Sequence, residues 1–166
     1  MITVIQDSQE KMPWNFRTYT DFVESQVIKK IPTGDYTILG HETEFIVERK
    51  KSVDELALNL GQLYTRFRKE LVRMREFKEA YIVCEFSSED LINYPATSNL
   101  NKYSWNNKKS PIPRMKGKSM YQQINTIQEV YNLKFIFAMN RANARDTVLN
   151  LMKEFDERLR TQIRTS

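Results

Sequence analysis

Cysteine and histidine each occur once in this 166-residue chain. A single cysteine rules out an intrachain disulfide and a cysteine-based zinc cluster. Cys84 lies in the apolar run Tyr81-Ile82-Val83-Cys84, which reads as a buried strand and not as a reactive thiol. The only histidine, His41, falls in the turn-like Gly40-His41-Glu42, an exposed hairpin position. A Ser-His or Cys-His triad has no other imidazole to draw on. Long apolar runs are missing too. No stretch approaches the roughly 18 apolar residues of a membrane span. Met1-Ile2-Thr3-Val4-Ile5 runs straight into Asp7 and Glu10, without the basic and apolar regions of a signal peptide. These absences predict a soluble, cytoplasmic protein with no membrane partner.

Negative charge is absent from one long segment. Leu91 to Gln128 contains no Asp or Glu but carries Lys102, Lys108, Lys109, Arg114, Lys116 and Lys118. The net charge of the chain is +5, so these six cations hold all of the excess and leave the remainder at −1. Such a patch suits a polyanion, most simply nucleic acid. Tyr94, Tyr103 and Trp105 are interleaved with it, and aromatic faces stack on unpaired bases. The loop at residues 91–118 has no apolar periodicity and is too long for an ordinary connector. It reads as a nucleic-acid-binding loop; the plainer alternative is a solvated, tail-like segment.

What is present is enough for one domain, residues 1–166. The composition, 40% hydrophobic and 11% aromatic, is ordinary for a globular core. Thr3-Val4-Ile5 reads as a short strand. Phe22, Val23, Val27 and Ile28 recur at helical spacing and predict a helix over 19–30. Pro32-Thr33-Gly34-Asp35 is a turn. Residues 36–39 and 44–50 read as a hairpin. A capping box, Ser52 with Glu55, opens one long amphipathic helix carrying Leu56, Leu60, Leu63, Phe67, Leu71 and Met74. Residues 81–86 read as a buried strand. Ser119 and Gln122 form a second capping box before a helix to about Tyr131. Lys134 to Met139 reads as a strand, and Val148, Met152, Phe155, Leu159 and Ile163 mark a last helix. Mixed strands and helices give an α/β class, a central mixed β-sheet flanked by helices on both faces.

The chemistry concentrates in Glu48-Arg49-Lys50-Lys51-Ser52-Val53-Asp54, with Gly34-Asp35 upstream. Residues two apart on a strand share a face, so Glu48 and Lys50 project together and Arg49 points away. Asp35 opens the partner strand and approaches Glu48 across the hairpin. Two carboxylates and an ammonium then meet at one end of the sheet. That set suits a hard divalent cation such as Mg²⁺, with Mn²⁺ as a substitute, at a phosphodiester bond. Asp7 and Glu10 form a second acidic pair that reaches the same site if the first strand lies beside the hairpin. Asp54 sits in a first helical turn, where the dipole favours a carboxylate. Each element has a plain reading alone. Glu-x-Lys occurs on solvated strand faces, Gly-Asp makes turns, and Arg66, Arg68, Lys69, Arg73 and Arg75 fit a solvated helix face.

Together these residues are far more specific. Gly34-Asp35-Tyr36 followed by Val47 to Asp54 resembles the Gly-Asp…Val-Glu-Arg-Lys-x-x-x-Asp signature of the XPF (ERCC4-type) family of structure-specific DNA nucleases. Asp7-Ser8-Gln9-Glu10 resembles the family's opening Asp-x-Arg-Glu, with Gln9 in place of the usual Arg. The resemblance is clear over residues 2–86. It implies a restriction-endonuclease-like core, PD-(D/E)XK in type, and Mg²⁺-dependent endonuclease cleavage of branched, flap or junction DNA. By carry-over Asp35, Glu48 and Asp7 are metal residues, Asp7 as a supporting carboxylate. Lys50 is the catalytic base or water-positioning group, Arg49 contacts phosphate or braces the site, and Asp54 supports it. The resemblance also implies roles in DNA repair and recombination, a homodimer, a nucleoid-associated location and a bacterial or viral origin. No helix-hairpin-helix module is expected within 1–166. Two alternatives stand beside this reading: a catalytically silent DNA-binding scaffold, and a nuclease without structure specificity.

Overall fold

Strands β1 (Ile2–Asp7), β2 (Val23–Lys29), β3 (Tyr36–Ile38), β4 (Phe45–Lys50), β5 (Glu79–Cys84) and β6 (Lys134–Phe137) form one sheet in the order β2-β1-β3-β4-β5-β6. The computed structural model describes residues 1–99 and 115–165. β3 is antiparallel to both β1 and β4, while β2, β5 and β6 join in parallel. The helices are α1 (Val53–Leu60), α2 (Tyr64–Met74), α3 (Ser88–Ile92), α4 (Gly117–Tyr131) and α5 (Arg141–Thr165).

Alternation along the central strands supplies two cores, one on each face. Ile5, Ile46 and Ile82 pack against Leu56, Leu60, Phe67 and Leu71 of α1 and α2 and against Ile124 of α4. Val4, Val47 and Val83 pack against Trp14, Phe16 and the α5 residues Val148, Met152 and Phe155. The expected sheet covered on both faces is therefore present. β4 is buried along its whole length, as befits a central strand in a doubly covered sheet.

Three expected elements differ. The helix over 19–30 is absent: Val23–Lys29 is edge strand β2, paired with β1. Val23, Val27 and Ile28 are β-branched and fit a pleated surface. Buried Gln26 pins the segment, accepting from the Phe16 amide and donating to Gln6 Oε1 and the Trp14 carbonyl at 2.8–2.9 Å. The single long helix breaks in two at Gly61, whose backbone lies so close to Met115 that a Cβ would meet its sulfur at 3.3 Å. Ser52 caps α1 by accepting from the Glu55 amide. The Glu55 carboxylate turns instead to the Lys51 amide, so the box is only half closed. α4 starts at Gly117 with no side-chain cap, which leaves Ser119 inside its first turn. The complete capping box is Ser87 with Asp90 at α3. His41 is half-buried, with Nδ1 2.6 Å from Glu44 Oε2 and its ring edge-on to Phe155.

Candidate active site

The hairpin brings the motif together. The Asp35 amide donates to the Val47 carbonyl at 2.8 Å, and the Arg49 amide donates to Asp35 Oδ2 at 2.7 Å. Gly34 makes this approach feasible. Its φ is +75°, and a Cβ there would sit 2.5 Å from Ile46 Cγ1. A left-handed, side-chain-free residue is required at that corner.

Glu48 and Lys50 share the face toward α1 and α2, as strand alternation dictates. Both are buried. Lys50 Nζ donates to Glu48 Oε1 at 2.7 Å, lies 3.9 Å from Glu55 Oε1 and sits 5.1 Å from the Phe67 ring centre. Burial pulls the Lys50 ammonium down, but Glu48, Glu70 and Glu55 outweigh it and hold the group above its ordinary value. Burial pushes the Glu48 carboxyl up, and Glu70 adds to this while Lys50 opposes it. Burial also pushes Asp35 up, with Glu48 the next cause. Two carboxyls that repel each other in a desolvated pocket are a place where a cation is favoured.

Arg49 faces the other way. Its Nε donates to Glu85 Oε1 at 2.8 Å, and Nη1 donates to Glu10 Oε1 at 3.0 Å and to the Met12 carbonyl at 2.8 Å. The guanidinium lies 5.0 Å from the Trp14 ring centre. Held by these partners, Arg49 braces the Glu10 and Glu85 segments on the face opposite Glu48 and Lys50. Asp7 does sit beside the hairpin: its amide donates to the Asp35 carbonyl at 2.7 Å. Its carboxylate is occupied with the Gln9 and Ile31 amides, at 3.0 Å each. Glu10 is among the charges that push Asp35 up. Asp54 accepts from Ser98 Oγ and from the Asn99 amide, and so ties α1 to the segment after α3.

Sequence reasoning did not assign Glu70, Glu85 or Trp14. Glu70 lies three residues beyond Phe67 on α2, within the field of Glu48 and Lys50. Glu85 follows an apolar strand and collects Arg49, Trp14 Nε1 at 2.7 Å and Arg141 at 3.7 Å. A lone acid closing a buried strand was the available signal for Glu85; none marked Glu70. Of the six loop cations, Lys116 and Lys118 are exposed at the start of α4. Lys102, Trp105, Lys108, Lys109 and Arg114 lie outside the described residues.

Among the described residues no group of three or more His, Cys, Asp or Glu side chains is arranged to hold a metal ion. Asp35 and Glu48 fit the other mode, one or two carboxylates plus water and substrate oxygens, which is the habit of Mg²⁺. Their shared burial and mutual repulsion are what such an ion would relieve. No helix among the described residues is long and apolar enough to cross a membrane.

The chain matches the family model of the ERCC4 domain over residues 6–151. No curated protein matches it. Among solved structures it is similar to XPF from Aeropyrum pernix, at 19% identity and a TM-score of 0.66, covering 98% of this chain and 68% of that one. XPF from Aeropyrum pernix in complex with DNA gives 21% identity and a TM-score of 0.61, covering 100% of this chain and 68% of that one. At these identities the likeness shows the fold, a restriction-endonuclease-like sheet with flanking helices.

Proposed function

The chain belongs to the ERCC4 domain family, and from that premise we propose that it is a Mg²⁺-dependent DNA endonuclease acting where duplex meets single strand. One observation carries the reading: half-buried Asp35 is drawn to buried Glu48 and Lys50 by a hairpin whose corner favours glycine. A buried Lys-Glu pair beside a second carboxylate is costly to maintain for stability alone.

Asp35 and Glu48 would hold the ion, and Mn²⁺ would substitute. A divalent ion there lowers the pKa of bound water and offsets charge at phosphorus. Lys50 has three donor protons and spends one on Glu48. The others are available to orient the attacking water or a non-bridging phosphate oxygen. Arg49 keeps Glu48 and Lys50 in register from the opposite face. Water attacks phosphorus, the bond to the 3′-oxygen breaks, and that oxygen leaves with a proton, giving a 5′-phosphate and a 3′-hydroxyl. Preference for branched DNA and pairing into a homodimer follow from the family resemblance and are part of the proposal, as is the basic segment as a DNA-binding loop.

End-labelled flap, fork, four-way-junction and linear DNA incubated with Mg²⁺, Mn²⁺ or EDTA test this reading. Metal-dependent cuts near a branch, lost in Asp35→Ala and Glu48→Ala, are expected. Binding without cutting in any metal would replace the enzyme with a silent scaffold. Equal cutting of all four DNAs would leave a nuclease without structure specificity. Sedimentation at micromolar concentration tests the homodimer.

A further inference from the structure

We propose that Arg66, Lys69 and Arg73 of α2 form a phosphate track that leads a DNA strand to the Asp35–Glu48–Lys50 cluster. The proposal rests on the DNA reading above but names a surface outside the basic loop. α2 buries Phe67, Leu71 and Met74. At 100° per residue, Glu70 borders that buried stripe on one side, and Arg66, Lys69 and Arg73 follow on the same side. Two contacts show where this side points. Glu70 acts on Glu48 and Lys50, and Arg73 Nε donates to Thr33 Oγ1 at 2.6 Å, two residues before Asp35. The row therefore begins at the rim of the cluster.

Lys69 stands between two like charges, Arg66 and Arg73, while Glu70 lies at helical spacing from both of these. Spacings of three and four place like charges next to each other on a helix, which is unfavourable. The single acid of α2, Glu70, faces the cluster. Some exposed cations are neutralised: Lys78 pairs with Glu44, Arg158 with Glu79 and Arg160 with Asp156. Arg66 and Lys69 are exposed, and among the described residues neither enters an ion pair. Seven residues of helix span about 10 Å, enough to engage successive phosphates of one strand. Such contacts are sequence-independent and position the backbone.

Fluorescence anisotropy with labelled forked DNA, in EDTA so that nothing is cut, tests the track on the full chain. The double variant Arg66→Gln/Lys69→Gln is compared with Lys134→Gln/Arg164→Gln, which removes the same charge at exposed positions away from the cluster. Gln is a good helix former at Arg66, Lys69 and Arg164, and Lys134 is an exposed position that opens β6; matching thermal melts show that both variants fold. The track variant is expected to bind about 10-fold more weakly in 0.1 M salt, with the log–log salt slope reduced by about two. The control is expected to change binding less than about twofold. Equal losses in the two variants, or none in the track variant, overturn the track. Cleavage by wild type in Mg²⁺ is read separately. If wild type binds through the track but never cuts, the nuclease reading fails and the track stands. If wild type cuts and the track variant binds unchanged, the track alone fails.

Discussion

The carboxylate of Asp54 accepts a hydrogen bond from Ser98 Oγ, 44 positions along the chain, and its second oxygen accepts from the Asn99 amide at 3.0 Å. The last acid of the Glu-Arg-Lys-x-x-x-Asp run is thus joined to Ser98 and Asn99, inside the 91–118 segment and ahead of its first cation, Lys102. These two hydrogen bonds fasten residues 98–99 to the first turn of α1.

Asp54→Ala should raise KM for forked DNA several-fold while changing kcat less than about threefold. Amides 94–99 should exchange faster with solvent, and stability should fall by about 1.5–3 kcal/mol, as for lost hydrogen bonds to a charged group. Hydrogen exchange and steady-state kinetics check this. A collapse of kcat with unchanged exchange would instead put Asp54 in the chemistry.

Lys50→Met should reduce kcat by at least about 100-fold, the lower range for loss of a group acting in proton transfer or charge neutralisation. It also strands Glu48 in a buried site, at a cost of about 3–5 kcal/mol. That cost should shrink at pH 5, because the unpaired Glu48 takes up a proton there. Urea unfolding at pH 5 and pH 8 measures the difference.

Burial, followed by Glu48, pushes Asp35 up to about 9. Between the ordinary carboxylate value and that pH, the folded metal-free protein holds a proton that the unfolded chain has released. Stability from this group is therefore full at low pH and declines as pH rises toward 9. Mg²⁺ should flatten the decline by replacing the proton, and Asp35→Asn should reduce it, leaving the part that belongs to Glu48, whose carboxyl burial also pushes up. Thermal melts from pH 5 to 9, with and without Mg²⁺, give the three curves. An upward slope in the metal-free wild type, absent in Asp35→Asn, would contradict the sign.

Arg49→Lys keeps the charge but loses the planar fork that reaches Glu85, Glu10 and the Met12 carbonyl together. Stability should drop by about 2 kcal/mol, while Mg²⁺ affinity by calorimetry should hold within about threefold. A large loss of metal affinity at unchanged stability would show that Arg49 acts on the ion and not on the scaffold.

Gly34→Ala puts a Cβ 2.5 Å from Ile46 Cγ1 at φ +75°. A cost of about 1–3 kcal/mol is expected from the strained backbone. Mg²⁺ affinity should fall as well, because Asp35 is the next residue. Chemical denaturation and calorimetry on the same preparation separate the two effects.

The site's core was legible because it is local. Strand alternation puts Glu48 and Lys50 on one face whatever surrounds them, and a Gly-Asp turn feeding a hairpin brings Asp35 to β4. Period and composition likewise gave α5, the buried strand of Cys84 and the covered mixed sheet. What the sequence could not decide depends on partners far along the chain. Residues 19–30 carry a helical spacing, yet β1 had an open edge and Gln26 had buried partners in Gln6 and Trp14, so the segment pairs as a strand. One apolar period ran through Gly61, but that residue leaves helical geometry and caps α1, its amide donating to the Ala57 carbonyl. Asp7 and Glu10 look interchangeable as acids. Only the packing of β1 beside β3 turned Asp7 to backbone amides and Glu10 to Arg49. Glu70 and Glu85 reach the site from α2 and the end of β5; Glu85 had only its place after a buried strand to mark it, and Glu70 had no local pattern. Side-chain periodicity is written in the backbone; the identity of a buried charge's partner is set by which elements come to lie against it.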